Sequence, residues 1–80
     1  MNIRILLFGI TRDIVGSSSI NVDINENENV EDLMSQLRSM YPGFNDLKSL
    51  MVAVNSEYAE KEMVLKQSDE IALIPPVSGG

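Results

Sequence analysis

The sequence predicts an α+β domain in which a mixed β-sheet carries one main helix across one of its faces. Two observations predict this class: the first and last strand segments are apolar on both faces, and the middle of the chain holds one clear amphipathic helix. With 80 residues, the chain can bury one hydrophobic core and is too short for two. We therefore expect residues 1–76 to form one domain and residues 77–80 to form a flexible C-terminal Gly-Gly tail.

The N-terminal part is predicted to form two strands joined by a turn. Residues 2–10 carry apolar side chains at odd and even positions, which indicates a strand that is buried on both faces. Residues 11–19 lose that pattern and contain three consecutive serines, which favours a turn. Residues 20–25 alternate between apolar and polar side chains, so this second strand should lie further out in the sheet, with one solvated face.

The main helix is predicted to begin at Val30 and to end near Tyr41. Asn29 can cap its first turn, and acidic residues follow at the positive end of the helix dipole. Pro42 and Gly43 then stop it. Apolar side chains recur at steps of three and four residues and define one buried face: Val30, Leu33, Met34, Leu37, Met40 and Tyr41.

The C-terminal half is predicted to hold a short hairpin and a final strand. A brief helical turn is expected within residues 44–51, followed by a strand at residues 51–55 and a return strand at residues 58–59. Leu65 is assigned to a polar connection, and residues 71–74 form the last strand before two prolines. The five methionines are expected to fill the core.

This order of elements is the order of the β-grasp fold, in which the first and last strands lie in the interior of the sheet. If the odd-numbered apolar residues of the first strand face the helix, Leu6 and Phe8 lie on the opposite face of the sheet. Ile74 joins them from the last strand, and Tyr58 borders the group. Few residues remain to cover these side chains, so a partner-binding patch is favoured over scattered surface hydrophobes or a loop-covered face.

The composition excludes several classes of function. Cys and His are both absent, which removes disulfides, thiolate nucleophiles, Cys-ligated metals and the usual general base at neutral pH. We therefore expect no metal site, no bound cofactor and no catalytic side chain in this chain. A net charge of −6 disfavours nucleic acid and anionic lipid and favours basic protein partners. The apolar N-terminal run is too short for an export signal or a membrane span, which predicts a cytoplasmic protein.

The C-terminal tail is the feature that points to chemistry. Pro75 and Pro76 favour extended chain and would direct the last residues away from the sheet. Residues 77–80 span roughly 13 Å when extended, and terminal glycines fit a narrow tunnel because they lack Cβ. A free main-chain carboxylate can be adenylated by ATP, and sulfur can then replace the nucleotide to give a thiocarboxylate. An inert frayed end is the alternative interpretation.

Three segments closely resemble the small-subunit family of molybdopterin synthase: residues 5–16, residues 52–58 and residues 69–80. The resemblance covers nearly the whole chain, and its most specific part is the tail. It implies a ubiquitin-like fold in which Gly80 is the reactive residue, adenylated by an activating enzyme and then thiocarboxylated. It also implies that the tail inserts into the large subunit through Val77, Ser78 and Gly79.

The resemblance further implies the partners and the reaction. The catalytic side chains would belong to the large subunit, which would assemble with this chain as a heterotetramer, and a sulfurtransferase would supply the sulfur. The sulfur would be delivered to cyclic pyranopterin monophosphate to form the dithiolene of molybdopterin, with ATP used only by the activating enzyme. The implied partner interface consists of Leu6, Phe8, Tyr58, Ile74, Pro75 and Pro76.

One departure and three alternatives accompany the resemblance. The turn before the last strand often carries Gly in this family, whereas this chain has Gln67 and Ser68, a difference that concerns turn geometry. The tail and the fold would equally suit a sulfur carrier for thiazole or another thio-product. They would also suit a ubiquitin-like modifier that joins Gly80 to lysine, or a pure interaction domain with an inert tail.

Overall fold

The computed structural model describes residues 1–47 and 49–75. Within these residues, none of the helices has the length and apolar character that crossing a bilayer requires. The elements follow the chain in this order: β1 (Asn2–Leu7), α1 (Ile10–Val15), β2 (Ser19–Asp23), α2 (Val30–Met40), a 3₁₀ helix (Pro42–Asp46), β3 (Met51–Val54), β4 (Glu57–Tyr58) and β5 (Glu70–Ile74).

The described strands form one mixed sheet with the order β2-β1-β5-β3-β4. β1 and β5 pair in parallel, while β1–β2, β3–β5 and β3–β4 pair antiparallel. The first and last strands lie inside the sheet and the alternating second strand lies at its edge, as predicted. The predicted α+β, β-grasp class is therefore confirmed.

The core lies between one face of this sheet and α2. Ile5 of β1 and Ile71 of β5 are register partners, and both are fully buried. Leu33 and Leu37 are fully buried on α2. Burying a side chain of this size stabilises the fold by about 1.5–3 kcal/mol. The buried cluster consists of Ile3, Ile5, Leu7, Val22, Ile24, Val30, Leu33, Met34, Leu37, Phe44, Val54, Leu65, Ile71 and Leu73.

α2 begins where the sequence predicts and ends one residue before the predicted limit. The Asn29 side chain accepts a hydrogen bond from the Asp32 N–H at 2.9 Å, and the Asp32 carboxylate accepts one from the Asn29 N–H at 3.0 Å. This reciprocal capping box satisfies two backbone donors that a helix start leaves free. The N–H groups of Val30 and Glu31 donate to the carbonyls of Met63 and Lys61, so residues 61–63 close the same helix end.

The prediction for the first connection is wrong. The strand predicted over residues 2–10 ends earlier, at Leu7. The helix α1 occupies part of the segment that was predicted to be a turn over residues 11–19. Gly16 ends α1 with a φ of 84°, a left-handed conformation that glycine adopts without strain. α1 holds six residues and shows too little periodicity to be recognised, although Ile14 packs against the core from it.

The prediction that all five methionines fill the core is wrong, and Leu65 has a role that was not predicted. Leu65 lies in the connection between β4 and β5, as assigned, and it is only 2% exposed, because the segment that closes the start of α2 turns this side chain into the core. Met34 is buried as predicted, whereas Met40, Met51 and Met63 are 48%, 48% and 43% exposed. The exposed methionines therefore need an explanation other than core packing.

The connection between α2 and β3 also differs from its prediction. The helical turn expected within residues 44–51 lies earlier, as the 3₁₀ helix, because Pro42 fixes a φ that suits its first turn. Phe44 is buried in the core, and its ring meets the Tyr41 ring edge-on at a centroid distance of 6.0 Å. This aromatic pair holds the 3₁₀ helix against the end of α2.

A hydrogen-bonded clamp joins the β3–β4 turn to the start of β5. The Asn55 side chain donates to the Asp69 carboxylate at 2.8 Å and accepts from the Glu70 N–H at 3.0 Å. The other Asp69 oxygen accepts from the Lys66 N–H at 2.8 Å, which closes the turn that precedes β5. Asn55 has a φ of 52°, a conformation that asparagine tolerates better than most residues.

The clamp explains why the turn before β5 can hold Gln67 and Ser68 where the family often has glycine. Neither residue is among those with positive φ, so the turn has a geometry that does not require glycine. A second bond from the Asp69 N–H to the Lys66 carbonyl, at 3.0 Å, supports the same turn. The start of β5 is therefore fixed by Asp69 and Asn55.

Candidate interaction surface and tail base

The candidate site is built on the face of the sheet that α2 does not cover. Leu6 of β1 is the register partner of Ala72 in β5, which in turn is the partner of Ala53 in β3. Tyr58 of β4 is the partner of Ala53. Register partners in neighbouring strands point to the same face, so these side chains form one row across four strands.

A second apolar row lies beside the first, at the end of the sheet where the tail begins. Phe8 continues the parity of Leu6 and is 49% exposed, and Ile74 continues the parity of Ala72. Met51 is the register partner of Ile74 and is 48% exposed. The two rows surround a shallow depression of about 330 Å³, lined by Leu6, Phe8, Ala53, Ser56, Tyr58, Glu70, Ala72 and Ile74.

The structure brings together four of the predicted interface residues, Leu6, Phe8, Tyr58 and Ile74. We call them, with Ala53, Ala72 and Met51, the sheet patch. Sequence reasoning missed Ala53, Ala72 and Met51. Strand parity and the hairpin register could have revealed Ala53 and Ala72, whereas the position of Met51 beside Ile74 follows from the β3–β5 register. The assignment of this patch as a partner interface stays a prediction.

The opposite end of the same face is polar. Arg4 and Glu70 are register partners, as are Arg4 and Asn21, and Asn2 pairs with Asp23. All five side chains belong to exposed residues. The face is therefore divided along its strands, with the charged half away from the tail and the apolar half beside it.

Thr11 holds Phe8 in place, a role that sequence reasoning missed. It is fully buried, and its hydroxyl donates to the Phe8 carbonyl at 2.6 Å and accepts from the Phe8 N–H at 2.9 Å. A threonine four residues after the last residue of a strand, at the start of a helix, is the local signal that could have indicated such a clamp. Both backbone groups of Phe8 are thereby satisfied just beyond the end of β1.

The base of the tail packs against the corner between β1 and α1. Gly9 has a φ of 53°, and a Cβ atom built on it would lie 3.1 Å from Cγ of Pro75. The absence of a side chain at Gly9 therefore lets this corner approach Pro75 closely. The remaining predicted site residues lie outside the described residues: Pro76, Val77, Ser78, Gly79 and Gly80.

The chemistry of the sheet patch is that of a binding surface. Its depression is lined by apolar side chains together with the hydroxyls of Ser56 and Tyr58 and the Glu70 carboxylate. Tyr58 is 69% exposed, so its ring is available to a partner. Exposed aromatic and aliphatic side chains grouped beside a chain terminus are suited to protein recognition.

Fold and surface together define a ubiquitin-like β-grasp protein with an apolar patch at the base of its C-terminal segment. Residues 5–80 match the ThiS family, and the chain belongs to that family. It is 38% identical to the molybdopterin synthase sulfur carrier subunit of Dictyostelium discoideum, over 96% of this chain and 94% of the relative. It is 32% identical to the subunit of the same name in Chlamydomonas reinhardtii, over the full length of both chains. The predicted resemblance is confirmed.

Solved structures show the same fold. SAMP1 from Haloferax volcanii is 27% identical, with a TM-score of 0.87 over 100% of both chains. A chain in the protein–protein complex of subunits 1 and 2 of molybdopterin-converting factor from Helicobacter pylori 26695 is 22% identical, with a TM-score of 0.71 over 100% of both chains. The likeness to this second structure supports the fold alone.

The Thr11 clamp can be tested with two substitutions. Thr11→Val keeps the shape of the side chain but leaves the N–H and carbonyl of Phe8 without their side-chain partner, so it should lower the free energy of unfolding by about 1–3 kcal/mol. Thr11→Ser keeps the hydroxyl and removes one buried methyl group, which should cost about 1 kcal/mol. Urea denaturation of both variants measures the difference. A serine variant that is less stable than the valine variant would contradict the clamp.

Proposed function

We propose that this chain is a sulfur carrier and the small subunit of molybdopterin synthase, with Gly80 as the sulfur-bearing residue. The observation that carries the proposal is the match to the ThiS family, which runs from residue 5 to Gly80. Full-length relatives named molybdopterin synthase sulfur carrier subunit support it. The apolar sheet patch beside Pro75 supports it as well, because a carrier must present its terminus to a partner.

The proposed chemistry takes place on the backbone carboxylate of Gly80. The carboxylate attacks the α-phosphate of ATP in the activating enzyme, which releases pyrophosphate and gives an acyl adenylate. The terminal sulfur of a persulfide on the sulfur source then displaces AMP to give an acyl disulfide. A thiol attacks the other sulfur of that disulfide, which forms a new disulfide with the sulfur source and releases the thiocarboxylate. Thiolate-type sulfur is a strong nucleophile at neutral pH, so the loaded terminus can attack the cyclic pyranopterin precursor. ATP serves the activating enzyme, and we propose no bound cofactor for this chain.

We propose that the large subunit of molybdopterin synthase is the partner that accepts the tail. The full-length relatives named molybdopterin synthase sulfur carrier subunit support this partner, because a carrier subunit of a synthase works with the rest of that synthase. In the proposal, the large subunit supplies the catalytic side chains and covers the sheet patch. We further propose that the small and large subunits form a heterotetramer. A sulfurtransferase would serve as the sulfur source, and the protein would be cytoplasmic.

A second candidate function is protein modification. It is favoured by the similarity to SAMP1 from Haloferax volcanii, because the related structure from Methanosarcina acetivorans, 28% identical, is a small archaeal modifier protein. In that case the adenylated Gly80 would be attacked by a lysine amine of a target protein. The two functions share the activation step and differ in the nucleophile that follows it.

Intact-mass measurement tests the proposed function. We expect that incubation with ATP, the activating enzyme and a sulfur source replaces one oxygen of the Gly80 carboxylate by sulfur, with the corresponding mass increase. Addition of the large subunit and the pyranopterin precursor should return the mass to its starting value and yield molybdopterin. A chain that lacks Gly80 is the control and should show neither change. Conjugates to other proteins, with no thiocarboxylate, would favour the modifier instead.

The sheet patch can be tested with Phe8→Asp and a matched control. Both Phe8 and Val64 are about half exposed, at 49% and 48%, and Val64 does not line the depression of the sheet patch. We expect Phe8→Asp to abolish binding to the large subunit, because a carboxylate would be desolvated in the centre of the interface. Val64→Asp should bind normally, as measured by isothermal titration calorimetry. Binding of Phe8→Asp at the affinity of the unmodified chain would contradict the patch.

A further inference from the structure

A second depression lies on the other side of Tyr58 from the sheet patch. It has a volume of about 770 Å³ and lies between the β3–β4 hairpin and the helical layer formed by α2 and the 3₁₀ helix. We call it the edge groove. Its apolar lining includes Met34, Phe44, Leu47, Leu50, Val52 and Ala59.

The edge groove and the sheet patch form one continuous surface. Tyr58 lines both depressions, and it is 69% exposed. Met51 lines the edge groove and is the register partner of Ile74 at the base of the tail. A partner that covers Ile74 and Tyr58 while it takes the tail therefore also reaches the edge groove.

The backbone at the rim of the groove can accept a strand. The hairpin pairs Val54 with Glu57 and Ala53 with Tyr58, and the Ala59 N–H donates to the Val52 carbonyl at 2.9 Å. Hydrogen-bonded and non-hydrogen-bonded pairs alternate in an antiparallel ladder, so the N–H and carbonyl of Tyr58 point away from β3. β4 is the outermost strand at this end of the described sheet. An extended segment can thus form two backbone hydrogen bonds at Tyr58.

The charges around the groove select the chemistry of that segment. Arg38 is paired with Glu31 at 2.8 Å, so this pair adds little net charge. Among the described residues, the other charged ones that line the groove are Glu60, Lys61 and Glu62, which give this part of the rim an acidic excess. The groove therefore favours apolar side chains that have a basic residue beside them.

We propose that the large subunit that receives the tail also lays an extended apolar segment, with an adjacent basic side chain, along β4 and into the edge groove. This inference rests on the proposed function, because it takes the large subunit as the partner. It assigns Glu60 and Glu62 to the interface, in addition to the residues of the sheet patch. The partner would then hold the domain on both sides of Tyr58 and fix the direction in which the tail leaves it.

The first test measures binding of the cognate large subunit to matched variants by isothermal titration calorimetry. Met51 and Met40 are both 48% exposed, and Met40 lines neither depression. We expect Met51→Asp to weaken binding at least tenfold, or about 1.4 kcal/mol, and Met40→Asp to change it less than twofold. The double variant Glu60→Lys/Glu62→Lys should weaken binding several-fold at low salt and less at high salt. Because Met51 also belongs to the sheet patch, the double variant decides whether the edge groove is used: an affinity of Glu60→Lys/Glu62→Lys equal to that of the unmodified chain at low salt would overturn the proposal.

The second test is amide hydrogen exchange of the full chain, free and bound to the large subunit. The Tyr58 amide should exchange at least tenfold more slowly in the complex, because it gains a backbone partner. Protection of Leu6, Phe8 and Ile74 alone, with Tyr58 exchanging as in the free chain, would overturn the proposal and leave the proposed function intact. Failure of the unmodified chain to bind the large subunit would overturn both.

Discussion

The parallel pairing of β1 with β5 is the constraint on which the rest of the structure depends. It joins the beginning and the end of the described chain in the interior of the sheet, with Ile5 opposite Ile71 and Leu7 opposite Leu73. All four side chains are buried against the helical layer. A shift of this register by one residue would turn these side chains to the outer face, so the core fixes the register strongly. The point at which the chain leaves β5 is fixed with it.

The two faces of the central strands carry side chains with different roles: one face belongs to the core and the other to the sheet patch. On β5, Ile71 and Leu73 belong to the core, while Ala72 and Ile74 belong to the sheet patch. Stability therefore comes from one face, and the other face carries the sheet patch that we propose binds the partner. This separation allows a small domain to expose Phe8 and other large apolar side chains and still keep a complete core. It also suits a protein whose proposed reactive group is a backbone carboxylate.

Much of this fold could be predicted from residue patterns. Period-two parity assigned Ile3, Ile5 and Leu7 to the core and Leu6 and Phe8 to the opposite face, because a strand has only two faces. The limits of α2 were accessible because Asn29 and Pro42 carry strong local signals. The fold class and the family could also be predicted, because the long elements and the tail all point to the same fold and the same family.

The errors concern features that depend on distant contacts. α1 has six residues, and its stability comes from contacts such as that of Ile14 with the core, which no local pattern reveals. Leu65 is buried because its segment folds over the start of α2. The candidate site was found in part: Phe8 and Ile74 follow from parity, whereas Thr11 and Met51 depend on the turn geometry and on the β3–β5 register.

The central claim is that the reaction takes place at the terminal carboxylate of Gly80. The most direct measurement compares the free-acid chain with a chain amidated at Gly80, each supplied with ATP, the activating enzyme, a sulfur source, the large subunit and the pyranopterin precursor. The account predicts that the amidated chain folds normally and forms no molybdopterin, because an amide cannot be adenylated. Formation of molybdopterin by the amidated chain at the rate of the free acid would contradict it.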